Sequence, residues 1–255
     1  VDTAGNVFVG GIFYGTTDFD PGPASYTLSS PGFYDMFALK LDSMGNFKWV
    51  KQITASLNDE AYTLALDPAG NVYLGGGFSS TADFDPGPGV YNLSTYGSYD
   101  AFVWKLDNAG NFVWVKRFGG GSVDQVKAMS FGPSGALYIT GIFRGTAYMD
   151  PGPAVYKVSD ANGGDVFIVK LNAQGDFVWA GSVGTMPNID QVNDLAVDRD
   201  GNSYIVGPFK DSIDMDPGLS TLKFYSNANT DFYVASFDSN GYYRSAKTFG
   251  SLTDE

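Results

Sequence analysis

The apolar positions of this chain fall in short runs separated by turn residues, and the runs return in a fixed order. In the best-defined stretch, Ala61-Tyr62-Thr63-Leu64-Ala65-Leu66 predicts a first strand, and Asp67-Pro68-Ala69-Gly70 turns the chain into a second, Asn71 to Phe78. Asp100-Ala101-Phe102-Val103-Trp104-Lys105-Leu106 predicts a third strand, apolar on both faces, and Asp107-Asn108-Ala109-Gly110 leads to a fourth, Asn111 to Phe118. Both turns have the form Asp-x-x-Gly: the Asp side chain bonds backbone N–H groups ahead of it, and Gly supplies a positive φ. No segment sustains a 3.6-residue period, so helices are not expected.

The unit repeats. Gly5-Asn6-Val7-Phe8-Val9-Gly10-Gly11 returns at Gly70 to Gly76, Gly135 to Gly141 and Gly201 to Gly207, in steps of 65, 65 and 66 residues. Asp-Pro-Gly recurs at Asp20, Asp85, Asp150 and Asp216 in the same phase. Repeats of four short antiparallel strands describe propeller blades. The predicted fold is all-β, a β-propeller of four four-stranded antiparallel blades of about 65 residues, standing alone or as part of a larger propeller. The repeats divide as 1–60, 61–125, 126–191 and 192–255 of one domain or fragment. A solenoid is the alternative, but its repeats usually run about 20–45 residues. The extra length of each unit lies between the second and third strands. There Tyr14 to Tyr34 and its counterparts predict a small hairpin: an extended arm, a Pro-Gly turn and a short return strand.

Composition narrows the chemistry. The 255 residues contain no Cys and no His, which excludes disulfides, thiol nucleophiles, Cys/His zinc sites and His-based general bases. A formal net charge of −13 disfavours nucleic acid and anionic membranes as partners. No apolar run approaches the roughly 18–20 residues that span a bilayer, so membrane insertion is not expected.

Asp67-Pro68-Ala69-Gly70-Asn71-Val72-Tyr73, Asp83-Phe84-Asp85-Pro86-Gly87-Pro88, Asp100-Ala101-Phe102-Val103 and Lys105-Leu106-Asp107 to Trp114 resemble the bacterial β-propeller repeat called SBBP. The resemblance covers essentially the whole chain. It implies a secreted or cell-surface bacterial protein, of the kind found in long Bacteroidetes-type polypeptides with a separate sorting domain. The fourth unit departs most: Asp216-Pro217-Gly218-Leu219 lacks the second Pro, and Ser245 stands where Trp49, Trp114 and Trp179 stand. That unit is expected nearest an end or a contact with another element.

The Asp-Pro-Gly loops are the candidate site. Asp18 with Asp20, Asp83 with Asp85, and Asp214 with Asp216 bring two carboxylates to a loop, while Asp150 has Tyr148 in place of a partner. Calcium takes about 6–8 oxygen ligands, so these loops are candidate calcium sites, and calcium is the one cofactor considered. The constant part, Asp-Pro-Gly, is also what a plain turn requires. Asp35, Asp100, Asp165 and Asp231 precede the third strands, and Asp59, Asp124 and Asp190 the first. Recurrence in every unit points to scaffolding, as acceptors that tie neighbouring strands. Lys40, Lys105 and Lys170 are expected to pair with a recurrent Asp. Trp49, Trp114 and Trp179 are expected to pack between sheets, with a sugar platform as the alternative.

The expected function is a non-enzymatic extracellular or cell-surface scaffold, structural or adhesive. Its partners would be other copies or neighbouring domains of a longer chain. A glycan-binding lectin is the alternative. A glycosidase fits less well, because it needs one carboxylate pair and these carboxylates recur symmetrically. Finally, Val1 to Asn6 aligns with Leu66 to Asn71, and Ser251 to Glu255 resembles Ser56 to Glu60. Four units then carry three complete first strands. The expectation is a piece of a longer propeller, or a strand supplied by another copy.

Overall fold

In a computed structural model the structure describes residues 1–31, 33–55, 57–160, 163–185, 190–218 and 220–250, and the side chains of all of these but 228 and 229. Leu219, Ser56 and the closing stretch Ser251 to Glu255, which entered the repeat alignment, lie outside the described residues. The chain divides into two compact units, Val1–Arg117 and Phe118–Glu255.

The first unit begins with β1 (Val7–Phe13), a small hairpin of β2 (Thr16–Asp18) and β3 (Thr27–Ser29), β4 (Asp35–Leu41) and β5 (Phe47–Ala55). It continues with β6 (Glu60–Leu66), β7 (Val72–Phe78), a second hairpin of β8 (Thr81–Asp83) and β9 (Asn92–Ser94), β10 (Asp100–Leu106) and β11 (Phe112–Gly120). The last three residues of β11 open the second unit. β4 pairs antiparallel with β1 and β5, and β7 pairs antiparallel with β6 and β10. The end of β5 also pairs with β8, so the second hairpin hangs on the first sheet at Thr54↔Asp83 and Ala55↔Ala82. The two sheets share one apolar layer, with Met36, Ala38 and Ile53 of one against Val72, Leu74, Phe102 and Trp104 of the other.

The second unit repeats the plan. β12 (Gln125–Phe131), β13 (Leu137–Phe143), hairpin β14 (Thr146–Tyr148) and β15 (Lys157–Ser159), β16 (Asp165–Leu171) and β17 (Phe177–Val183) come first. β18 (Asp194–Val197), β19 (Ser203–Asp214), β20 (Lys223–Phe237) and β21 (Tyr243–Phe249) follow. The sheet orders are β12-β13-β16-β17 and β18-β19-β20-β21, all antiparallel. Tyr138, Val166 and Ile168 pack against Ile205, Phe209, Tyr233 and Phe237. In the fourth repeat the hairpin arm does not separate from the second strand. β19 runs through it, with a register shift between Lys210 and Ser212 and Asp211 at φ 59.

The all-β expectation is met: the described residues form antiparallel sheets, and the one helical turn is a 3-10 turn at Pro133–Gly135. The third strand β10 spans the residues read from the sequence, and the fourth, β11, runs two residues past Phe118. The third-strand side chains explain why both faces are apolar. Phe102, Trp104 and Leu106 on one face and Ala101 and Val103 on the other are all buried, as are Phe167, Ile168, Val169 and Leu171. Each such large side chain withdrawn from water contributes about 1.5–3 kcal/mol.

The repeated glycine of the second strand has a steric cause. A Cβ on Gly76 would lie 1.8 Å from the carbonyl oxygen of Glu60, and on Gly141 1.9 Å from that of Gln125. On Gly207 it would lie 2.1 Å from the Gln191 carbonyl. At the first two sites the first strand shifts register against the second, between Ala61 and Thr63 and between Val126 and Ala128. The backbones pinch together, and only a residue without a side chain fits.

Candidate functional site

The Asp-Pro-Gly loops close the small hairpins, and their carboxylates are hydrogen-bond acceptors within the loop. Asp20 Oδ1 accepts from Gly22 N at 2.8 Å, and Asp85, Asp150 and Asp216 do the same for Gly87, Gly152 and Gly218. The first Asp of each doublet reaches across the loop. Asp18 Oδ1 accepts from Asp20 N and from Tyr26 N on the returning chain, at 3.1 and 2.8 Å. Asp83 binds Asp85 N and Tyr91 N, and Asp214 binds Asp216 N and Leu222 N, in the same way. The backbone bond from Tyr26 N, followed by that from Asp20, holds the Asp18 carboxyl below its ordinary value. In the third repeat Tyr148 replaces this Asp, and its ring lies under Lys157 Nζ at 4.7 Å. Among the described residues no group of three or more Asp, Glu, His or Cys side chains comes together to hold a metal ion. Each doublet offers an incoming cation the carboxylate oxygens that the loop amides leave over.

The Asp-x-x-Gly turns are built alike. Asp67 Oδ1 accepts from Ala69 N and Asn71 N at 2.9 Å, and its Oδ2 from Asn71 Nδ2 at 2.7 Å and Tyr73 OH at 3.3 Å. Asp2, Asp42, Asp107 and Asp198 hold the Asn four residues on in the same way. Asn takes the Asp position at Asn172, and Gly takes it at Gly132.

The recurrent Lys and Trp clamp one repeat to the next. Lys40 Nζ and Trp49 Nε1 both donate to the Asn108 carbonyl, at 3.2 Å each, and Lys40 also reaches the Asn108 side chain. Lys170 Nζ and Trp179 Nε1 converge on the Ser239 carbonyl at 2.8 and 3.1 Å. The indole faces cover the turn glycines: a Cβ on Gly110 would meet Trp49 at 3.0 Å, and one on Gly241 would meet Trp179 at 2.8 Å. The expected ion pair to a recurrent Asp holds for Lys105, whose Nζ lies 4.0 Å from Asp67 Oδ2. Lys40 and Lys170 instead reach turn carbonyls, because the neighbouring turn presents those acceptors. Lys40 pairs across the sheet with Trp49, and Lys170 with Trp179. In the fourth repeat both partners change together, to Ser236 and Ser245, which bond each other at 2.9 Å.

The Asp residues before the first and third strands are buried acceptors, as expected. Asp35 accepts from Gln52 Nε2 and Ala55 N, Asp59 from Ser79 N, Asp124 from Gly120 N and Asp190 from Thr185 N. The sequence does not reveal that several are half satisfied. Among the described residues, one carboxyl oxygen of Asp59, Asp100, Asp190 and Asp231 is buried without a hydrogen-bond partner. Burial pushes Asp59 up to about 7, Asp165 to about 7 and Asp190 to about 8. Asp100, which has the Arg117 guanidinium at 3.7 Å, is pushed up by burial to about 6.

A second feature missed in the sequence is a ring pair beside the Asp-Pro-Gly loop in each of the first three repeats. Tyr26 stacks on Phe47, Tyr91 packs on Phe112 and Tyr156 on Phe177, with centroids 4.9, 5.0 and 5.3 Å apart. Their common phase is the signal that would have found them. In the first repeat Phe47 lines a cleft of ≈ 420 Å³ together with Asp20, Pro23, Met44 and Asn46.

Comparison with known proteins finds distant similarities. The chain is 28% identical over 180 residues to the regulatory protein FlaEY of Caulobacter vibrioides, covering 69% of this chain and 18% of that protein. It is 22% identical over 178 residues to an uncharacterized WD repeat-containing protein of Acanthamoeba polyphaga mimivirus, covering 63% of this chain and 12% of that protein. The chain thus spans less than a fifth of the length of either relative. A crystal structure of a protein of unknown function from Bacteroides caccae aligns over 95% of this chain and 93% of its own, with a TM-score of 0.35 and 9% identity. The sequence profile of the β-propeller repeat SBBP matches residues 48–84 and 183–207.

Proposed function

We propose that the protein is a non-enzymatic scaffold whose four repeats are the four blades of a propeller, or of part of a larger one, displayed outside the cell or on its surface. One observation carries the reading. The side chains with chemistry to offer recur in phase, and they are spent within the scaffold. Asp18, Asp83 and Asp214 close hairpins, Asp67 and its counterparts close turns, and the Lys–Trp pairs clamp successive repeats. A catalytic constellation is built once, not four times. The SBBP match supports the propeller architecture and carries the surface location only by family resemblance. Electron microscopy of the purified chain tests the architecture: class averages with blades about an axis are expected, and repeats stacked in a line would overturn it. Fractionation of the source cells tests the location, and a purely cytoplasmic protein would overturn that part.

Glycan binding is the second reading, favoured by the ring pairs. Tyr26, Tyr91 and Tyr156 are 46%, 44% and 40% exposed, which leaves a face for a sugar ring beside a polar loop. Trp49 and Trp179 do not serve this reading, since their faces lie over the turn glycines Gly110 and Gly241. A glycan array decides between the readings: binding lost on Tyr26→Ala would select the lectin, and self-association without binding would select the scaffold.

A further inference from the structure

The junction between successive repeats holds two aspartates side by side. The Asp59 backbone N–H donates to the Tyr34 carbonyl at 3.0 Å, which brings Asp59, just before the first strand of one repeat, against Asp35, at the third strand of the repeat before. The second unit repeats the contact: Asp190 N donates to the Gly164 carbonyl at 3.0 Å, next to Asp165. Asp35, Asp59 and Asp190 are fully buried and Asp165 is 9% exposed. Asp59 Oδ1 accepts from Ser79 N at 3.0 Å, while its Oδ2 is buried without a partner. Asp190 Oδ2 accepts from Thr185 N at 2.9 Å, while its Oδ1 is buried without a partner.

An orphaned oxygen on a buried carboxylate is costly, and a second carboxylate beside it adds repulsion. Two chemical species relieve both costs, a cation or a proton. A cation needs about six or more oxygens, and among the described residues no group of three or more Asp, Glu, His or Cys side chains comes together to supply them. A proton needs only the orphaned oxygen itself, which becomes a donor.

We propose that each junction holds a proton on the buried carboxyl with the orphaned oxygen, Asp59 beside Asp35 and Asp190 beside Asp165, so that the contact between successive repeats is closed in mildly acidic to neutral solution and loosens as that carboxyl ionises. The step is a plain acid dissociation: the proton leaves for solvent, and a buried carboxylate with an unpaired oxygen remains. The groups around each pair reinforce it. Asp35 and Glu60 act on Asp59, which in turn acts on the Tyr99 phenol. Asp165 acts on Asp190, Asp160 and Asp214 act on Asp165, and Asp190 acts on the Tyr233 phenol. These acidic and phenolic neighbours oppose ionisation, and only the N–H groups of Ser79 and Thr185 favour it, less strongly than burial opposes it. Because the folded-state values are raised, the stabilisation is complete below the ordinary carboxyl value of about 3.9. It is lost as the pH rises through about 7 at Asp59 and about 8 at Asp190.

The test uses the full chain. Melting temperatures are measured from pH 5.5 to 8.5 for the native protein, Asp59→Asn, Asp190→Asn and the double variant, each with calcium and with a chelator. Asn copies the neutral acid. The native Tm should fall with rising pH by several degrees, each single variant should lose part of that fall, and the double variant most of it. For a chain of this size ~1 kcal/mol corresponds to roughly 2–4 °C. Equal slopes in all four proteins would overturn the proposal. So would a calcium-dependent rise in the native Tm that the variants lack, which would put a cation in the pair. Should the variants fail to fold, infrared titration of the native chain decides. A protonated-carboxyl C=O band present at pH 6 and gone by pH 9 is expected, and its absence at pH 6 would sink the idea.

Discussion

Asp190 and Asp198 stand at the two ends of β18, and their carboxyls behave in opposite ways. Asp198 accepts from Asp200 N, Asn202 N, Asn202 Nδ2 and Tyr204 OH at 2.7–3.0 Å. Led by the Asn202 side-chain bond, these donors hold it well below the usual carboxylate range. Asp190 has one oxygen on Thr185 N and the other on nothing, and burial pushes it up to about 8. At the two ends of β6, Asp67 has both oxygens hydrogen-bonded, whereas Asp59 Oδ2 is buried without a partner among the described residues. A turn wraps its own N–H groups around a carboxylate at the surface, so ionisation is favoured. A junction withdraws water from both oxygens and supplies a donor to only one, so the neutral acid is favoured.

The sharpest way to break this contrast is to move β6 itself. Gly76→Ala places a Cβ where the Glu60 carbonyl sits, one residue from Asp59. A loss of roughly 3 kcal/mol is expected in urea denaturation, from overpacking against backbone that has nowhere to go. A loss below about 1 kcal/mol would mean that β6 slips and that the buried carboxyl is not held in place. Next comes the turn: Asp67→Ala should cost about 1–3 kcal/mol by leaving Ala69 and Asn71 amides without their acceptor. Asp67→Asn should cost less, because the amide oxygen still accepts, as Asn172 does in its own turn. Equal losses for the two variants would show that charge, not acceptance, closes the turn.

A pH profile sets the two classes against each other in one molecule. The turn carboxyls Asp2, Asp42 and Asp198 are lowered, chiefly by their Asn partners, so their contribution is present above the ordinary value and lost as pH falls through their folded values. The junction carboxyls are raised, so theirs is lost as pH rises through about 6 to 8. Stability should therefore peak in mildly acidic solution, near pH 5, and decline on both sides. A maximum above pH 8 would remove the junction half of the comparison. The smallest effect expected is that of calcium. The loop doublets already bind backbone amides, so adding calcium or a chelator should move Tm by less than about 1 °C. A calcium-dependent rise of several degrees that Asp18→Asn or Asp83→Asn reduces would turn the loops into a cation site.

The residue order alone was enough for the strands, the turns and the phase of the repeats, because each rests on bonds spanning a few residues. Asp67 finds Asn71 four positions away, Asp18 finds Tyr26 eight away, and no distant part of the chain is needed. The recurrent Asp, Lys and Trp were legible as scaffold for the same reason that they recur. Their destinations were not. Lys40 and Trp49 meet the Asn108 carbonyl, and Tyr138 meets that of Gly201, across a whole repeat. In the fourth repeat the arm merges into β19 and β20 although its Asp-Pro-Gly reads like the others. Most of all, burial is a property of the packed sheets. Asp59 and Asp67 are the same residue type in one repeat, and only the layer folded over Asp59 leaves its oxygen without water or a donor.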